Sequence, residues 1–349
     1  MTQPPASPLL DDILAQPRFQ EPPGWRWHKF TTSGGYKIRY GSVHPKNSIA
    51  DAVVVCLPGF RDFSEQYLEL AHTMLERNMA FWVIDWRGQG DSDRFLKNRH
   101  KRHSAGYEAD VRDLHELVDG YILPSAVHPD VGRLPLIMLG HSMGGHIGMR
   151  FLHDCNISSK GKQAFSAAAF CAPMFGVNPV DSLPLTLTWL LSGLMCMLPS
   201  SYVPRHGRDW APGYRDVPAL SGKFSHDPIR QQLQDAWFKK SPSLQVGGPT
   251  NRWLFETLKS CLKLNNPKYL KDINLPILMA MAGNDRIVSN RLIQMAAMHL
   301  PQGVLSEIPG AEHEILMESD QYRQKFLDHF FSFVSENVLK KLDRGMTKF

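Results

Sequence analysis

The stretch Leu136–Gly145, Leu-Ile-Met-Leu-Gly-His-Ser-Met-Gly-Gly, restricts this chain more than any other. Its first four residues are apolar and read as a buried strand. Gly140-His141-Ser142-Met143-Gly144 follows at once, and His146–Leu152 then has a helical pattern. Strand, G-x-S-x-G and helix are the setting of a nucleophile elbow, a sharp turn that lifts a serine hydroxyl clear of the sheet. Backbone passes close on both sides of such a turn. Side chains at positions 140 and 144 would collide there, so glycine is what fits. The helix that starts at the turn aims its free N–H groups back at the serine, where negative charge would develop on a reacting oxygen.

The surroundings are those of a folded α/β protein. At 349 residues the chain suits one large α/β domain with an insertion, or two domains. A hydrophobic content of 43% and a charged content of 21% exclude a disordered chain. The net charge of +5 is mild, and with no nucleic-acid motif present, no nucleic-acid partner is expected. Five cysteines at irregular spacings, two of them (Cys56 and Cys171) inside apolar runs, are expected to be reduced thiols. Met1–Gln20 is proline-rich, carries Asp11 and Asp12, and lacks the pattern of a secretory signal. The long apolar run Leu183–Leu198 is interrupted by Pro184 and followed by Pro199, too short and too broken for an ordinary membrane span. The expected location is the cytoplasm, with transient peripheral contact at the inner membrane surface. Oligomeric state is not legible.

Taken in order, residues 1–24 read as a loose arm with at most one short helix, Leu9–Ala15. Trp25–Thr31 and Tyr36–Val43 alternate like paired strands around Ser33-Gly34-Gly35. Buried strands are expected at Ala52–Leu57, Phe81–Ile84, Leu136–Leu139 and Ala164–Cys171, with helical patterns at Glu65–Arg77 and Asp110–Ile122 between them. The basic run Phe95–His103 is expected to be a solvated loop. Strands alternating with helices imply a largely parallel sheet. The alternation stops from about Pro173 to Lys263, where helix-like stretches (Leu185–Leu198, Arg230–Phe238, Trp253–Leu262) lie among proline- and glycine-rich loops. It resumes with strand Ile277–Met281, helix Leu292–His299, strand Val304–Ile308 and a last helix from Gln321 to about Leu339. The chain therefore divides into an arm (1–24), a core in two parts (25–172 and 264–349) and a helical insertion (173–263).

A serine hydroxyl needs a base to take its proton, and the base needs a carboxylate to hold its tautomer and stabilise its cation. Asp285 stands on the loop leaving Ile277–Met281, and His313 on the loop leaving Val304–Ile308. Each follows a core strand downstream of Ser142, in the order Ser, Asp, His. Glu312 and Glu314 are rivals for the acid role, but lie too close in sequence to His313. An oxyanion hole needs two backbone N–H groups. Met143 supplies one, and Phe60, in Pro58-Gly59-Phe60 after another core strand, supplies the second.

Val53–Tyr67, Asp85–Ser92, Gly140–Gly145, Ala172-Pro173-Met174-Phe175-Gly176, Gly247-Gly248-Pro249-Thr250 and Gly283–Val288 together resemble the bacterial lysophospholipase and monoacylglycerol lipase family of α/β-hydrolases, its lysophospholipase-like branch in particular. The resemblance runs from about Trp25 to the final helix. It implies an α/β-hydrolase fold, a mostly parallel twisted sheet with helices on both faces and a helical cap. It also implies Ser142, Asp285 and His313 as triad, Phe60 and Met143 as oxyanion donors, and residues 173–263 as a cap over the site. Pro58 departs from the pattern, because monoacylglycerol lipases usually carry histidine before that glycine.

The reaction expected on this basis is hydrolysis of carboxylic esters of single-chain lipids through an acyl-enzyme on Ser142, with no metal and no cofactor. Trp189, Leu190 and Met195 of the first cap helix, with Met174, are candidates for lining an acyl slot. Most apolar residues of that helix are expected to bury the cap against the core. Two other readings stay open. An aminopeptidase or short-chain carboxylesterase of the same superfamily is one; the former needs a cap carboxylate to hold an ammonium, with Asp181, Asp209, Asp227, Asp235 and Glu256 as candidates. A non-catalytic binding protein of the same fold is the other.

Overall fold

The computed structural model describes residues 10–158, 164–178, 183–215 and 222–340. The strands of the main sheet are β1 (Arg26–Thr31), β2 (Lys37–Val43), β3 (Ala52–Leu57), β4 (Met79–Ile84), β7 (Leu136–His141), β8 (Ala167–Cys171), β9 (Ile277–Ala282) and β10 (Gly303–Ile308). A short hairpin of β5 (Val127–His128) and β6 (Gly132–Arg133) stands apart from them. The helices are α1 (Leu10–Ala15), α2 (Leu68–Glu76), α3 (Tyr107–Leu117), α4 (Leu123–Ser125), α5 (Met143–Ser158), α6 (Leu185–Met195), α7 (Pro228–Lys240), α8 (Asn251–Leu264), α9 (Pro267–Lys271), α10 (Asn290–His299) and α11 (Asp320–Val334).

Every residue of β3, β4, β7 and β9 is buried. Alternate side chains of a strand point to opposite faces, so both faces of the sheet centre are covered. The strand order is β1-β2-β4-β3-β7-β8-β9-β10, antiparallel at β1/β2 and β2/β4 and parallel from β4 onward. The edge strands β1 and β10 are partly exposed, as edges are. Because β3, β7, β9 and β10 run parallel, the loops that leave them share one rim, where open α/β sheets place their ligands.

Three local expectations change. The described part of the arm is docked rather than loose. Ile13, Leu14 and Phe19 are buried, and α1 packs on α7 of the insertion. The basic run is not simply a solvated loop either. Arg102 is 1% exposed, and its backbone pairs with the Gly247–Thr250 stretch: Arg102 N donates to Gly248 O (3.1 Å) and Thr250 N to Arg102 O (3.0 Å). The insertion thus clasps this loop. Finally, α6 turns its apolar face outward. Leu187, Leu190, Leu191 and Leu194 are 44–68% exposed, while Thr188 and Ser192 are buried where α6 packs on α8. Their hydroxyls donate to Leu185 O (3.0 Å) and Trp189 O (2.7 Å), so burying them leaves no donor unmet.

The turn Asp85–Ser92 is a buried polar hub. Arg39 of β2 donates to both oxygens of Glu65 (2.7 Å each) and to Asp85 (2.6 Å). Asp85 also accepts from Ser64 N and Oγ and from Asp91 N. The hub ties β2, β4 and the segment before α2 together just behind the Pro58–Phe60 loop.

Candidate active site

Ser142 adopts the left-handed conformation, φ 50°, at the end of β7. The strain is held from several sides. Ser142 N donates to Cys171 O (3.1 Å), and Ser142 O accepts from His146 N and Met174 N (3.1 Å each). A Cβ on Gly144 would lie 1.9 Å from Leu57 O, and one on Gly140 2.9 Å from the Gly145 backbone. Neither position has room for a side chain, so β3 and α5 can pack against the turn only with glycine there.

Two loops complete the arrangement. His313 Nε2 lies 3.0 Å from Ser142 Oγ, and His313 Nδ1 lies 2.7 Å from Asp285 Oδ2. The other Asp285 oxygen accepts the N–H groups of Ile287 (2.8 Å) and Val288 (2.9 Å), which fixes the carboxylate. With Asp285 accepting, Nδ1 carries the proton and Nε2 is free to accept from the serine hydroxyl. Burial pulls the His313 pKa down, but the Asp285 charge and hydrogen bond outweigh it, so the imidazole sits above its ordinary value. Burial likewise pushes Asp285 up, and the His313 interaction more than reverses this. The three residues expected as a triad are brought together. Glu312 and Glu314 are not part of it: Glu314 binds Arg215 of the insertion through both oxygens (2.7 and 2.9 Å), and Glu312 lies 3.4 Å from Arg286.

Phe60 and Met143 flank the serine on the exits of β3 and β7. Among the described residues neither backbone N–H donates to an acceptor. The Phe60 loop is braced from below. Asp62 accepts from Gly59 N (2.8 Å) and Tyr67 Oη (2.8 Å), Gln89 Nε2 donates to Gly59 O (2.7 Å), and Trp86 Nε1 donates to Pro58 O (2.8 Å). Asp62 was not picked out from the sequence, although it lies within the Val53–Tyr67 run. Burial, with Glu314 nearby, raises its pKa to about 6. His141, whose ring centroid is 4.9 Å from that of His313, is pushed down to about 3 by burial and by that neighbour, and stays neutral.

A cavity of about 390 Å³ opens over Ser142 and His313, with Phe60, Tyr214, Phe224, Pro249 and Ile287 among its apolar walls. The four expected acyl-slot residues do not line it. Met174 is buried beneath the elbow, where its carbonyl accepts from His146 Nδ1 (2.7 Å). Trp189 stacks on Phe255 (centroids 5.7 Å apart), Leu190 is exposed, and Met195 is half-buried on α6. The lining residues Tyr214, Arg215, Lys223 and Phe224 come from loops of the insertion without helical periodicity, so no pattern in the sequence marks them.

The sheet order and the covered parallel strands define an α/β-hydrolase fold. The family described as "Serine aminopeptidase, S33", of the Hydrolase_4 type, matches residues 48–320, and the chain belongs to it. It is similar to lysophospholipase L2 of Escherichia coli, 29% identical over 303 residues, covering 82% of this chain and 81% of that one. It is also similar to the probable lysophospholipase L2 of Haemophilus influenzae, 25% identical over 309 residues, covering 86% and 90%. Among solved structures, a soluble variant of monoglyceride lipase from Saccharomyces cerevisiae superposes with a TM-score of 0.66 at 18% identity, covering 91% of this chain and 96% of that one.

Proposed function

We propose that this protein is a serine hydrolase that cleaves carboxylic esters of single-chain lipids, lysophospholipids or monoacylglycerols, through an acyl-enzyme on Ser142. The observation that carries the reading is the continuous hydrogen-bond chain Ser142–His313–Asp285 beneath the cavity. The similarity to lysophospholipases supports the substrate class. His313 takes the serine proton as Oγ attacks the ester carbonyl, and Asp285 stabilises the imidazolium. The N–H groups of Phe60 and Met143 hold the oxyanion, each worth on the order of 3 kcal/mol in the transition state. His313 then protonates the leaving alcohol, and activates the water that releases the fatty acid. In this reading residues 173–263 form the cap. A panel of lysophospholipids, monoacylglycerols, short p-nitrophenyl esters and amino-acid anilides at fixed detergent tests it. Turnover of the lipid esters with fluorophosphonate labelling of Ser142 supports it, and cleavage of anilides alone overturns it.

The aminopeptidase reading, which the family's description keeps in view, finds no ammonium anchor among the described cap carboxylates expected for that role. Asp227 caps α7 and pairs with Arg230, Asp235 accepts from Trp210 and Gly213, Asp209 from Tyr202 and Asn98, and Glu256 binds Arg252. None of these four lines the cavity. Asp181 lies outside the described residues.

No helix among the described residues is long and apolar enough to cross a membrane. The outward leucines of α6 continue in sequence into Met197 (83% exposed) and Leu198 (67%), a run of exposed apolar side chains. We infer that this surface rests on a lipid layer while substrate enters, a peripheral contact that an amphipathic helix makes without spanning.

A further inference from the structure

Lipid-ester hydrolysis leaves one property of the cavity unused, its charge. Four cationic side chains line it, Arg61, Arg215, Lys223 and Arg286, against two carboxylates, Asp62 and Glu314. Arg215 is satisfied by Glu314, and Asp62 is turned to Gly59 and Tyr67. Arg286 is half exposed and meets Glu312 only at 3.4 Å. Lys223 has no carboxylate within ion-pair distance among the described residues.

Arg61 is the unusual member. It is 5% exposed, holds a left-handed backbone (φ 69°), and directly follows Phe60. Its Nε donates to Val246 O (3.0 Å), and its guanidinium lies 3.9 Å over the Tyr214 ring. Among the described residues it has no hydrogen-bonded carboxylate partner, and its buried Nη2 has no acceptor. Asp235 and Glu314 act on it only through space; a buried cation with no hydrogen-bonded anion is costly, and an anion delivered from the cavity lowers that cost. An apolar acyl chain offers none. A phosphate does, because its oxygens match the guanidinium fork while lysine meets it as a point charge.

We propose that Arg61 and Lys223 form a subsite for a phosphate group on the alcohol side of the substrate, so that acyl esters of glycerophosphate are hydrolysed in preference to neutral monoacylglycerols. This rests on the reading of Ser142 as the nucleophile of an ester hydrolase. The same chemistry fits a free phosphate ion, and the inhibitor arms of the test separate the two.

The test compares kcat/KM for lauroyl glycerophosphate and monolauroylglycerol in one neutral detergent, for the full chain and for Lys223→Gln and Arg61→Lys. Each lost charge-assisted hydrogen bond is expected to lower the phosphate-to-neutral ratio by about tenfold. In the unsubstituted protein the ratio falls as ionic strength rises. If Arg61 is only a strut between core and insertion, both substrates fall together and the ratio stays put, which overturns the proposal. Competitive inhibition by glycerophosphate well below the concentration at which inorganic phosphate acts supports a head-group site; equal inhibition by the two overturns it in favour of a free-anion site. Should fluorophosphonate label Ser142 while the neutral ester is preferred, the subsite alone fails. Should neither ester be cleaved and no label attach, the hydrolase reading fails with it.

Discussion

The imidazole Nε2 of His313 stands 3.0 Å from the hydroxyl of Ser142 across 171 positions of chain. Ser142→Ala removes the proposed nucleophile and nothing that holds the elbow, since the hydrogen bonds there use the Ser142 backbone. It is expected to lower kcat by about 10⁶-fold on any ester the protein cleaves, with the unfolding midpoint unchanged. Steady-state kinetics and denaturant unfolding of the same preparation check both halves.

Activity should carry a pH signature. Only the neutral imidazole accepts the serine proton, and the His313 pKa is raised above 6.5. Activity is therefore lost as pH falls through that raised value, and the acid limb of kcat/KM has its midpoint above 6.5. Asp285→Asn removes the anion that raises it and leaves burial to act alone. The limb then moves to lower pH, and kcat falls by about 10⁴-fold.

Glycine at 144 is a steric requirement. Gly144→Ala puts a methyl group into the Leu57 carbonyl, where backbone on both sides must shift, and is expected to cost about 3 kcal/mol or more. Gly120, exposed and with nothing within 4 Å of a built Cβ, is the control. Gly120→Ala is expected to be neutral or to stabilise by up to about 1 kcal/mol, as read from urea unfolding.

Arg39 neutralises two buried carboxylates at once. Arg39→Met leaves Glu65 and Asp85 without their cation and is expected to destabilise the fold by about 3–5 kcal/mol. Calorimetry at several pH values provides the check. The deficit should shrink in acid, where the stranded carboxylates take up protons.

The outward face of α6 predicts a partition experiment. Leu194→Asp with Met197→Asp is expected to lower the fraction of protein sedimenting with lipid vesicles by about tenfold or more. Unchanged sedimentation would mean that another surface makes the contact.

The core strands and the three candidate site residues were legible because each leaves a local mark. An unbroken apolar run signals a strand covered on both faces, and Asp285 stands just after one, while His313 follows the shorter apolar signal of the edge strand β10. The rest depends on pairings that local order does not carry. Arg39, Glu65 and Asp85 meet from three separate segments, and nothing around any of them announces burial. On α6 the usual rule that apolar residues face inward is reversed. Thr188 and Ser192 donate to their own helix and so tolerate burial, which leaves the leucines outside. The cavity's insertion residues sit on loops whose positions come from contacts such as Gly247 N to His100 O (2.7 Å).

The Arg215–Glu314 pair gives the insertion a grip on the residue beside the proton-accepting imidazole. Separating the two would strip the site of a cation and leave a buried negative charge one position from His313. The position of Arg215 and the charge felt by the imidazole are thereby tied to one ion pair.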